Sequence, residues 1–144
     1  MIVGFILALL AGLLFNWIAA TSSEGYDMLD YMAYHGVNAS GLKGISLLIG
    51  ILGLLVVYFV RSKKVVGVAG FLSGFLLFTG NILWQQTVLS LGEIFTRYQK
   101  AGWADFGFGF DVSMLSGLIL LVGGAVVLSK QLTSKKSIAA PQSL

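Results

Sequence analysis

The sequence predicts an all-α integral membrane protein, a four-helix bundle with both termini in the cytoplasm. Of its 144 residues, 57% are hydrophobic and 10% are charged, against roughly 25% charged in an average soluble domain. Four long apolar stretches, Ile2–Ala20, Ile45–Val60, Val65–Trp84 and Val112–Ser129, contain no Asp, Glu, Lys, Arg or His. The acids and bases between them fall in different loops. A β-barrel also satisfies every backbone group in lipid, but these stretches lack its alternation of apolar and polar residues.

The first stretch, residues 2–20, reaches the roughly 20 residues that a spanning helix needs. It has no basic leader and exceeds the usual apolar core of a signal peptide, so Ala19-Ala20 reads as the end of a span rather than a cleavage site. The outer loop 21–42 follows. Within it Asp27, Asp30 and Tyr34 keep helical spacing while Leu29 and Met32 project elsewhere, which predicts a short amphipathic helix at the membrane surface, stopped by Gly36. Asn38-Ala39-Ser40 fits a glycan acceptor in a source that makes such glycans.

The second span covers residues 43–60, with Lys43 reaching outward to the interface. A basic turn, Arg61–Lys64, leads into the third span, 65–84. The second outer loop, 85–111, begins with a helix-compatible run to about Lys100, in which Glu93 and Arg97 are four apart and can pair. It ends in aromatic residues alternating with Gly from Trp103 to Asp111. The fourth span, 112–129, is near the lower length limit, and residues 131–144, interrupted by Pro141, read as a mobile cytoplasmic tail.

Orientation follows from charge. Arg61, Lys63 and Lys64, with Lys130, Lys135 and Lys136, flank one side of the spans and have no acid among them. All six acids fall in the two outer loops beside only Lys43, Arg97 and Lys100, a net charge of −3. The excess of bases marks the cytoplasmic side. Both halves also repeat one order of parts: a span ending in Asn and Trp, a Tyr-bearing outer loop, a Gly-led span, then Ser-Lys-Lys. That order suggests two tandem helical hairpins.

The 19 glycines serve helix contact, because lipid gives helices little hydrophobic reason to associate and small residues allow close approach. Gly4, Ala8, Gly12 and Asn16 make one stripe; Gly70, Gly74 and Asn81 another; Gly50 and Gly53 mark span two; Ser113, Gly117 and Gly124 mark span four. Asn16 and Asn81 are candidate polar helix contacts. The alternative for them is a paired amide site at a pore mouth. Tyr31, Tyr34, His35, Trp103, Phe106, Phe108 and Phe110 form a candidate partner surface, with an interfacial aromatic belt as the plainer reading.

No cysteine is present, which removes thiolate chemistry and sulfur metal sites. His35 with Asp27 and Asp30 matches no metal-ligand spacing, so no cofactor or metal is expected. The basic clusters fit membrane topology, so nucleic acid is not an expected partner. Without an intramembrane charge or a nucleophile beside a base, the chain is not expected to be an enzyme. The favoured reading is a non-catalytic accessory or structural subunit of a multi-pass assembly in a plasma or prokaryotic cytoplasmic membrane, in contact with lipid and with other subunits or copies of itself. Its contacts would run through Gly-rich faces and through the aromatic and acidic outer loops. A small oligomeric channel or carrier, and an outer-surface lipid-handling enzyme using Tyr26–His35, are the alternatives.

Overall fold

The computed structural model describes residues 1–14, 17–20, 22–23, 25, 27, 40–90 and 93–139. The chain is mostly helical. Its elements run α1 (Ile2–Leu13), β1 (Ile18–Ala20), α2 (Ser40–Phe59), α3 (Lys63–Ser90), α4 (Glu93–Lys100), β2 (Ala104–Phe106) and α5 (Phe108–Ala139). Three helical stretches are long and apolar enough to cross a membrane: Gly41–Phe59, Lys63–Ser90 and Phe108–Thr133, with mean hydropathies of 2.2, 1.8 and 2.2. They are the mark of a helical membrane protein.

The first apolar stretch departs from expectation. Its helix stops at Leu13 after 12 residues, about 18 Å at 1.5 Å per residue, and Ile18–Ala20 is a strand rather than the helix end expected to Ala20. Tertiary pairing and ring packing cause the stop. The Trp17 indole turns back and donates to the Ala11 carbonyl at 3.0 Å, satisfying one of the carbonyls that every helix end leaves open. Beyond it β1 pairs antiparallel with β2, Ile18 opposite Phe106 and Ala20 opposite Ala104, and Gly107 N–H donates to the Trp17 carbonyl at 2.8 Å. The fold is therefore α-helical with one two-stranded ribbon, not purely α.

α2 keeps close to its expected bounds, but the third and last helices overrun theirs. The third reaches Ser90 rather than Trp84, and the last begins at Phe108 and continues to Ala139, so the segment expected to be a mobile tail is helical over most of its length. The surface helix expected within residues 24–36 lies largely outside the described residues, as do Asn16, Tyr31, Tyr34 and His35.

α1 packs between α2 and α5, and α3 packs along α5. Glycine sets the α3–α5 distance: a Cβ at Gly74 would stand 2.2 Å from Leu121 N and 2.7 Å from the Gly117 carbonyl. The two backbones meet there. Phe5, Ala8, Leu77 and Leu120 fill the centre of the bundle, with Met1 against its edge. Met1 also lies against Gly70 and Gly123, while Trp17 meets Trp84. Met1 and Trp17 thus lie level with Gly70 and Trp84, positions about 21 Å apart in helix rise along α3.

Candidate functional site

Two regions gather side chains that chemistry or binding could use. The first is an aromatic cap at the Trp84 end of the bundle, where Trp17, Trp84, Val88, Phe95 and Phe110 are buried together. Trp17 stands edge-on to Trp84 at 6.0 Å and to Phe110 at 6.4 Å. Phe106 stacks on Phe110 at 5.1 Å and meets Phe95 at 5.3 Å. Such pairs contribute about 0.5–1.5 kcal/mol each beyond their buried area. They join the end of the first apolar stretch to α3, α4 and α5.

Backbone chemistry holds the rim of the cap. α4 ends in a left-handed cap: Gly102, at φ +72°, donates to the Gln99 carbonyl, and Trp103 N–H donates to the Tyr98 carbonyl, both at 3.0 Å. Glycine suits that conformation because it has no Cβ to clash, and the apolar contact that usually accompanies such a cap is the edge-on Tyr98–Trp103 pair at 5.6 Å. The chain then turns into β2, where Asp105 accepts from its neighbour Phe106 N–H at 2.7 Å and from Gln99 Nε2 at 2.9 Å.

The Trp103–Asp111 run therefore divides its aromatic residues. Phe110 is 5% exposed, and Phe106 is packed against the same cluster. Of the residues expected to face a partner, Phe110 is therefore core and Phe106 is half-buried against it. Phe108 is 63% exposed and Trp103 38% exposed. Phe106 ends β2 and Phe110 lies in the first turn of α5, and the change from strand to helix between them brings their rings together while Phe108 stays outside.

The second region is the line of buried polar groups inside the bundle. Ser46 donates to the Ala8 carbonyl at 2.9 Å, joining α2 to α1, and Ser116 donates to the Gly4 carbonyl at 2.8 Å, joining α5 to α1. Asn81 Nδ2 donates to its own helix at Leu77 O, 2.7 Å, and across to Ser113 Oγ at 3.0 Å. The side chain expected to be a polar helix contact thus bridges α3 and α5. Two buried polar atoms one turn apart on α3, Asn81 Oδ1 and Trp84 Nε1, have no hydrogen-bond partner.

These serines donate to backbone carbonyls, a bond that positions helices and leaves no base to activate the hydroxyl. Among the described residues no group of three or more His, Asp or Glu gathers as a metal site. Helical spacing puts Ser46, four residues before Gly50, on the contact face of span two, where the structure finds it; sequence reasoning missed Ser116 as a bridge. It also missed the partnership of Trp17 with Trp84, although the shared position of these tryptophans near the ends of two spans was a readable sign. No protein-family model, curated protein or solved structure matches this chain.

Proposed function

We propose that the chain is a four-span accessory or structural subunit of a membrane assembly, with both termini in the cytoplasm. One observation carries the reading: the bundle spends its glycine contacts and buried hydroxyls on holding itself together, while α2 leaves a continuous apolar face unmatched. Gly41 and Gly44 have nothing within 4 Å of where a Cβ would stand, and Ile45, Leu48, Ile51 and Leu52 continue the same exposed side. Small residues opening onto an apolar ridge suit a second helix in lipid. Partner contact is therefore assigned to this face and to Phe108 and Trp103, rather than to the glycine stripes inside the bundle.

Charge supports the orientation. Arg61, Lys63, Lys64 and Lys130 are exposed at the end where Gly67 meets Val127 and Leu128, whereas Asp105 and Asp111 lie at the aromatic end. The strong pairing of α1 with α2 and of α3 with α5 agrees with two hairpins. The glycines aligned by a repeat have unlike surroundings, since Gly117 abuts the Phe78 backbone and Gly44 is open.

Solubilisation of native membranes in mild detergent should bring down a stoichiometric membrane partner, and Leu48→Lys should release it without lowering the melting temperature. A lone, monodisperse homo-oligomer would overturn the reading. The oligomeric channel draws on one observation, the unpartnered Asn81 Oδ1 and Trp84 Nε1, and predicts solute flux in liposomes that changes on Asn81→Leu.

A further inference from the structure

At the basic end of the bundle the helices do not close. α1 begins beside Gly70 and Gly123, six residues along α3 from Lys64 and seven along α5 from Lys130, so α3 and α5 continue roughly 10 Å past it. α2 runs beside the start of α1, with Gly53 against Phe5 and Val57 sharing a recess with Met1, and ends at Phe59. The result is an apolar groove. One part, about 510 Å³, is lined by Ile2, Leu54, Leu55, Val57 and Tyr58. An adjoining part of about 430 Å³ shares Ile2 and Val57 and is closed by Val66 and Val127. A separate recess of about 190 Å³, which shares no lining residue with these two, is lined by Lys64, Leu128, Gln131 and Leu132; Lys64 and Leu128 stand two and one residues along their helices from Val66 and Val127 of the groove.

We propose that this groove holds one acyl chain of an anionic phospholipid, with the phosphate headgroup at Lys64 and the bases beside it. Charge complementarity selects that occupant over an uncharged amphiphile. Lys63, Arg61 and Lys130 are exposed close to Lys64 in sequence or across the α3–α5 contact, and none of the six acids of the chain lies in or beside the turn or the last helix's basic end. Basic pockets between helices on one membrane face suit phosphate headgroups. The aromatic pair Tyr58–Phe59, edge-on at 4.9 Å and largely exposed, stands at the same end, where amphipathic rings favour headgroup level. The groove draws on α2 only from Leu54 to Tyr58, little more than one turn, and Lys64 lies two residues along α3 from its Val66 wall. A second transmembrane helix would need a longer track, whereas a chain with one charged end matches the form.

The test is native mass spectrometry of the delipidated full chain in detergent, given equal amounts of dioleoyl phosphatidylglycerol and dioleoyl phosphatidylcholine. Preferential retention of one phosphatidylglycerol is the expected result. Lys64→Gln should cut that preference roughly fivefold, and Lys63→Gln with Lys64→Gln roughly thirtyfold, the effect of about 1 kcal/mol per surface base, with phosphatidylcholine retention unchanged. Val57→Trp, which fills the groove, should lower retention of both lipids; if that variant does not fold, Ile2→Trp blocks the opposite wall. Equal retention of the two lipids, an undiminished preference in the double lysine variant, or displacement of the lipid by inorganic phosphate overturns the proposal. So does recovery of a polypeptide in the groove in place of lipid. The outcome is independent of whether the chain serves as a subunit.

Discussion

Gly74→Ala tests how the bundle is held together. The added methyl would begin 2.2 Å from Leu121 N and 2.7 Å from Leu121 Cα, backbone atoms that cannot rotate aside. Ordinary contact begins near 3.4 Å, so α3 and α5 must part by roughly 1 Å. A gap of that size forfeits a quarter to a half of each affected dispersion contact, and overpacking of this kind costs about 1–3 kcal/mol. The gain in helix propensity from Gly to Ala, about 1 kcal/mol in water, opposes the loss. Gly41→Ala supplies the control, because nothing lies within 4 Å of its Cβ position and it carries the propensity gain alone. Reversible unfolding of both variants in mixed micelles, followed by far-UV circular dichroism, should place Gly74→Ala about 1–3 kcal/mol below Gly41→Ala. For a chain of this size that difference is about 2–4 °C per kcal/mol in melting temperature. Equal stability of the two variants would refute the claim that close backbone approach joins these helices.

Asn81→Leu and Ser113→Ala should each be mild. Their double-mutant cycle should give a coupling of about 0.6 kcal/mol, the usual worth of a hydrogen bond between helices in a membrane, and a coupling of several kcal/mol would mean a larger role for Asn81. Phe95→Ala empties a fully buried site and should cost about 3–5 kcal/mol; Trp17 and Trp84 fluorescence should shift to the red as water reaches the cap, and unchanged emission would argue against a packed cluster. The chain has no cysteine, so Ser62→Cys and Ala101→Cys can report topology cleanly. A membrane-impermeant maleimide should label Ala101→Cys in intact cells and Ser62→Cys only after permeabilisation; the reverse pattern would invert the orientation.

The aromatic cap shows why surface and core were hard to separate by reading alone. Trp103, Phe106, Phe108 and Phe110 alternate with small or acidic residues, a pattern equally suited to a belt, a ribbon or a contact surface. The turn at Gly102 and the start of α5 at Phe108 assign Phe110 to the interior, pack Phe106 against it and leave Phe108 outside. Asn81 was legible as a helix contact because an amide amid apolar residues must find a partner. Its partner, Ser113, was not, because it lies 32 residues away on another helix.

The amino-acid order alone was enough to point to a helical chain with long apolar segments, since composition and run length are local quantities, and three of those segments are helices long enough to cross a membrane. It was also enough to point to the glycine faces, because helical spacing follows from 3.6 residues per turn. Tertiary structure alone decided where the first helix stops, which aromatic rings are buried, and that α2 keeps an open face while the groove remains at the basic end. Those outcomes depend on competition between distant partners: ring packing and ribbon hydrogen bonds against about two more turns of helix. No window along the chain contains both sides of that competition.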